Sequence, residues 1–195
     1  MVKNNFKTIT FFNKKGGTGK TSFAFSIAKD LNCPLLSNDD SVIEEIYPGK
    51  AKVLESLQLI EHDVVYDLGG FVDNDAVAIF KASDVVVVPT TLDINSIKRT
   101  INSVMEINKY CENIVIVINR VKKDKLGKYK QSVEALKGLG KTILYVRESE
   151  AITNSIHLGQ TITELYSKSK FAQHQYAGIY EDYNLLLNTV KNIKK

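Results

Sequence analysis

The sequence predicts an α/β fold, with a doubly wound, mostly parallel sheet and helices on both faces. Three features of the 195-residue chain predict it. Short β-branched and aromatic runs alternate with stretches whose apolar residues recur at helical spacing, the pattern of repeated strand–helix units. The runs Val85-Val86-Val87-Val88 and Ile114-Val115-Ile116-Val117-Ile118 are apolar throughout, as strands covered on both faces are. The glycine-rich stretch Lys15-Gly16-Gly17-Thr18-Gly19-Lys20-Thr21 stands between such a run and a helical stretch. That is the context a phosphate-binding loop requires.

Composition bounds the answer before any motif does. With 44% hydrophobic and 25% charged residues, residues 1–195 read as a single domain large enough to bury a substantial core. A net charge of +4 permits contact with nucleic acid or an anionic surface without demanding either. Cys33 and Cys111 are far apart and form no Cys-x-x-Cys pair, which speaks against a disulfide scaffold or a zinc site and fits a reducing cytosol. Met1 to Phe6 contains no signal-peptide apolar core, and no apolar stretch approaches the ~20 residues of a membrane-spanning helix. A cytoplasmic protein is expected.

Lys7 to Phe12 reads as the first strand, and Phe23, Ala24, Ile27, Ala28 and Leu31 mark the buried face of the helix after it. Between them, glycines let successive backbone N–H groups converge on phosphate oxygens, and the helix N-terminus adds its positive dipole end. Lys20 is placed to reach β- and γ-phosphates, and Thr21 offers a hydroxyl to Mg²⁺. The ordinary pattern is G-x-x-x-x-G-K-[ST], but here its first glycine position holds Lys14. With Lys15 followed by two glycines, Asn13 to Thr21 resembles the deviant Walker A loop of the ParA/MinD family of P-loop ATPases. The resemblance makes Lys15 the match of the family's signature lysine, which reaches across a dimer to the partner's nucleotide. Gly16, Gly17, Thr18, Gly19 and Ser22 complete the nucleotide cradle that it implies.

Leu35-Leu36-Ser37 is a second short strand running into Asn38-Asp39-Asp40. Strand ends collect ligand chemistry in parallel sheets. The family carries Asp-x-Asp here, and its second aspartate, which helps organise the attacking water and the metal, is matched by Asp40. Asn38 stands in place of the first, a departure that removes a charge. Asp39 reads as a helix cap. From Ser41 to Glu61 the spacing of Val42, Ile43 and Ile46, then of Val53, Leu54, Leu57 and Ile60, predicts two short helices separated at Tyr47-Pro48-Gly49.

Val64 to Gly70 is an apolar strand ending in Asp67 and a glycine pair. It resembles a Walker B strand with its switch region, where an aspartate supports the magnesium shell opposite Thr21. A helix over Asp75 to Ala82 and a strand over Asp84 to Pro89 follow. Next come a helix over Asp93 to Tyr110 and a strand over Asn113 to Arg120. In the family an asparagine ending this strand bonds the adenine edge, which makes Asn119 the base-contact candidate; a strand-end Asn is also a common turn residue. Lys122-Lys123-Asp124-Lys125, Lys128 and Lys130 lead into a helix carrying Val133, Leu136 and Leu139. Such a run is either a solvated face or a nonspecific DNA contact. Thr142 to Val146 is a sixth strand. Beyond it, Arg147 is a candidate for contact with DNA or a dimer partner, or for a salt bridge with Glu148 or Glu150. The last helix, from about Phe171, carries Ile179, Tyr180, Tyr183, Leu186, Leu187, Val190 and Ile193 on a stripe suited to packing on the sheet.

The resemblance implies an ATPase that takes ATP and Mg²⁺. Lys15, Lys20 and Asp40 would serve catalysis, and Thr21, Asp40 and Asp67 the metal. It further implies a homodimer formed on ATP binding, nonspecific DNA contact and a ParB-like centromere-binding partner, hence plasmid or chromosome partition by a nucleoid-associated protein. A MinD-like positioning ATPase on a membrane and a conjugative-transfer accessory share the core. A redox ATPase like the nitrogenase iron protein needs cluster-bridging cysteines, and Cys33 and Cys111 match neither position.

Overall fold

The computed structural model describes residues 7–70, 72–122, 127 and 129–193. Along the chain run β1 (Thr8–Phe12), α1 (Lys20–Asp30), β2 (Leu35–Ser37), α2 (Ile43–Ile46), β3 (Ala51–Val53), β4 (Val64–Leu68), α3 (Asn74–Ala82) and β5 (Val85–Thr90). They are followed by α4 (Ile94–Ile107), β6 (Ile114–Val121), α5 (Lys130–Lys137), β7 (Thr142–Arg147), α6 (Ala151–Leu158), α7 (Ile162–Ser167) and α8 (Lys170–Asn192).

The strands form one seven-stranded sheet in the order β3-β2-β4-β1-β5-β6-β7, and every pairing is parallel. Strand period sorts alternate side chains to opposite faces. Ile9, Phe11, Val85, Val87, Val115 and Val117 pack with α1, α6, α7 and α8, whereas Phe12, Val86, Val88, Ile114, Ile116 and Ile118 pack with α3, α4 and α5. Central strands buried on both faces explain why their sequences show no polar alternation. The doubly wound fold is as expected from the sequence. Because β1 lies in the middle of the sheet, the turn leaving it opens onto the crevice at the strand C-termini.

One segment departs from the expectation. Ser41 to Glu61 forms the single turn α2, then the edge strand β3 and an irregular stretch, not two helices. Gly49 takes a left-handed φ of 74°, and Ala51 to Val53 then pairs with β2. The helix-like spacing of Leu54, Leu57 and Ile60 has another cause. All three pack onto the second core from an irregular covering segment, with Leu57 buried. Asp39 caps no helix, since α2 begins after Val42. Along α8, Ile179, Tyr183, Leu186 and Val190 are buried against the sheet. Among the described residues no helix is long and apolar enough to cross a membrane.

Candidate functional site

The loop from β1 to α1 is anchored before it turns. Asn13 is fully buried, and its Nδ2 donates to the Pro89 carbonyl (2.8 Å) and to Thr100 Oγ1 (2.9 Å). Its Oδ1 accepts from Lys15 N at 2.9 Å, so a single carboxamide ties the loop to β5 and α4. Lys14 is gripped by α4 as well. Its backbone N donates to Ser103 Oγ (3.3 Å), its carbonyl accepts from Arg99 (3.3 Å), and its ammonium pairs with Glu106. Lys15 is half-buried. Burial opposes ionisation of the Asp93 carboxyl nearby, but hydrogen bonds from Ser96 and Thr91, with a smaller contribution from the Lys15 charge, hold it low, at about 2.

Gly17 (φ 74°) and Gly19 (φ 96°) take left-handed conformations that disfavour side chains, which is why glycines stand there. A Cβ on Gly16 or Gly17 would meet nothing within 4 Å, so that wall of the loop is open to an incoming group. Helix α1 starts behind Gly19 with no side-chain cap and no acidic residue in its first turn. By contrast, α3, α4, α7 and α8 are capped by Asp73, Asp93, Thr161 and Ser169. The first N–H groups of α1, on Lys20, Thr21 and Ser22, therefore suit an anion. Lys20 itself is 7% exposed at the head of this helix.

Asp67 lies one residue before the end of β4, beside β1 and β2, in register with Phe11 and Ser37. Its Oδ2 accepts from Thr21 Oγ1 at 2.7 Å, while its Oδ1 is buried without a hydrogen-bond partner. Burial pushes this carboxyl up to about 6 from the usual 3.8. The Thr21 bond and the Lys20 charge pull it down, and Asp39 pushes it further up. A buried, under-satisfied carboxylate oxygen beside a threonine hydroxyl fits a hard divalent cation, the donor set that Mg²⁺ uses. Asp39 and Asp40 are both exposed, and of the two it is Asp39 whose charge acts on Asp67. Asn38 Oδ1 accepts from Gly69 N at 2.6 Å, holding the glycine pair after β4. The second glycine of that pair, Gly70, packs against the backbone of Lys14. The switch-like segment is thus wedged between the end of β2 and the start of the phosphate loop.

Asn119 is buried at the end of β6, and its Nδ2 donates to the Thr18 carbonyl at 3.0 Å. Lys122 pairs with Glu148 at 2.8 Å and Lys130 is exposed, while Lys123, Asp124, Lys125 and Lys128 lie outside the described residues. Arg147 bonds neither Glu148 nor Glu150. Its Nε and Nη2 donate to Asp182 at 2.7 and 2.9 Å, its backbone N donates to the same carboxylate, and Glu181 lies 3.8 Å away. The expected local salt bridge is replaced because α8 lays its carboxylates across the end of β7.

The anchoring roles of Asn13, Asn38 and Arg99 escape a sequence reading. For the Arg147–Asp182 pair the usable signal is Gly178, a mid-helix glycine whose missing side chain leaves room for Arg147.

No protein-family model and no curated protein matches the chain. Solved structures do. A single-substitution variant of Cyanothece McdA in complex with ATP superposes with a TM-score of 0.67 at 15% identity, covering 97% of this chain and 98% of that one. A Borrelia burgdorferi protein described as a plasmid partition protein, bound to AMPPNP, gives 0.65 at 17% identity over 93% and 100% of the two chains. The septum site-determining protein MinD of Pyrococcus horikoshii, complexed with Mg-ADP, gives 0.54 at 13% over 96% and 100%. The chain has the ParA/MinD-type P-loop fold.

Proposed function

We propose that the chain is a ParA-like ATPase that binds Mg²⁺–ATP, dimerises around it and hydrolyses it to ADP and phosphate. The observation that carries this reading is the junction of the open glycine loop with the Thr21–Asp67 pair, whose Oδ1 has no partner. Thr21 and Asp67 would hold the metal, which when bound neutralises charge on the phosphate oxygens. The backbone N–H groups of Gly16 to Ser22 receive the phosphates, and Lys20 adds a fixed positive charge beside them. Lys15 supplies the second amine to the partner's nucleotide. An in-trans cation of this kind contributes roughly 10³–10⁵ in rate in phosphoryl transfer. Of the adjacent carboxylates Asp39 and Asp40, one orients the attacking water, and the reach of Asp39 to Asp67 favours Asp39 over the motif match Asp40.

The matrix for the dimer is DNA contacted nonspecifically through lysines, which the mildly basic charge permits, with a ParB-like partner stimulating turnover. A membrane is the weaker alternative, because the α8 stripe is already committed to the sheet. The test is a DNA-binding titration with ATP, with ADP and without nucleotide, repeated with Lys15→Gln. Binding that requires ATP and disappears in the variant is expected. Equal binding in every nucleotide state removes the partition mechanism.

A further inference from the structure

The loop that receives phosphate is held from the far side by a side chain whose motif match is base contact. Asn119 is 1% exposed, and both ends of its carboxamide are engaged inside the chain. Nδ2 donates to the Thr18 carbonyl at 3.0 Å, and Oδ1 accepts from Arg120 N at 2.8 Å. The same amide nitrogen lies 2.6 Å from where a Cβ on Gly19 would sit, so loop and amide are in direct packing contact.

The backbone around Asn119 is bent to make this contact. Arg120 has φ 58°, a left-handed conformation that a non-glycine residue adopts when its surroundings impose it. At the same point the pairing of β6 with β7 slips. Ile118 opposes Tyr145 and Val121 opposes Arg147, so three steps on β6 face two on β7. A bulge of this kind re-aims a side chain and recurs beside active sites. Here the extra residue turns Asn119 into the loop while Val121 still joins the same core as Ile118.

We propose that Asn119 is a positioning residue that fixes the carbonyl of Thr18 and thereby the phosphate-facing turn Thr18–Gly19. The inference rests on the nucleotide-binding reading of the loop. Its consequence is that Asn119 acts on the polyphosphate part of the ligand, whatever base is attached.

Calorimetric titration with Mg²⁺ and either ATP or inorganic tripolyphosphate, which has no base, separates the roles. Asn119→Ala and the near-isosteric Asn119→Leu should each weaken both ligands, tripolyphosphate by on the order of tenfold for one lost hydrogen bond. A residue that only reads the base leaves tripolyphosphate binding untouched while ATP binding falls, and that result overturns the proposal. Should the native chain bind neither ligand, the nucleotide reading itself fails. The tie is then still decided without ligand, by hydrogen exchange of the Asn119 side-chain amide in the native, nucleotide-free chain. Protected exchange supports the tie, and exchange at the rate of a solvent-exposed carboxamide overturns it.

Discussion

Gly178→Ala should fail to stabilise this chain even though alanine is the better helix former by about 1 kcal/mol. Gly178 sits within α8, and a Cβ there would lie 1.8 Å from Nη1 and 2.5 Å from Cζ of Arg147. The guanidinium has to leave, and with it go the bonds of 2.7 and 2.9 Å to Asp182. The two side chains are 37% and 19% exposed, intermediate between a surface pair and a buried one. Forked, charge-assisted bonds in such a part-exposed setting contribute about 1–2 kcal/mol once solvent screening is allowed for. Subtracting the helix-propensity gain leaves a net loss of about 0–1 kcal/mol, or a melting temperature lower by at most roughly 2–4 °C for a chain of this size. In an Arg147→Ala background the obstacle is gone, and the same substitution should stabilise by about 1 kcal/mol. Urea unfolding of the four proteins reads the coupling directly. The reasoning is refuted if Gly178→Ala is stabilising in the native background, or costs the same in both.

The remaining predictions concern the site. Burial raises the Asp67 carboxyl from 3.8 to about 6. Its ionised form thus costs about 3 kcal/mol of stability, fully present above pH 6 and gone below about pH 4. Asp67→Asn, which keeps an acceptor for Thr21, should stabilise the metal-free chain by up to this amount at pH 8, with the gain fading as pH falls to 4. Urea unfolding in a chelator checks it, and a pH-independent gain contradicts it. Between the adjacent carboxylates, Asp39→Ala should retain ATP yet slow phosphate release at least tenfold, whereas Asp40→Ala should change it less than threefold. Single-turnover assays that reverse this order restore the role to Asp40.

The strand–loop–helix unit and Asp67 were legible in the sequence because their conformation follows from local chemistry. Glycines are needed at Gly17 and Gly19 for left-handed backbone, and apolar runs buried on both faces mark β4, β5 and β6. What escaped depends on distant partners. Strand β3 has three residues, too few to display a period, and its identity comes from pairing with β2. Arg147 offered nearby Glu148 and Glu150, but the carboxylate that claims it is 35 residues away, on α8. Asn119 matched a motif position, yet its hydrogen bonds are set by the bulge and by a loop 101 residues earlier. Asn38, a departure in sequence terms, holds Gly69, a contact no linear pattern reveals.

The central claim is that the glycine loop binds Mg²⁺ and triphosphate in a way that joins two copies through Lys15. Multi-angle light scattering with Mg²⁺ and a slowly hydrolysed ATP analogue tests it most directly. The native chain should double its mass with the analogue and stay single with ADP, while Lys15→Gln stays single with both. A native chain that remains monomeric at analogue concentrations well above its dissociation constant contradicts the account.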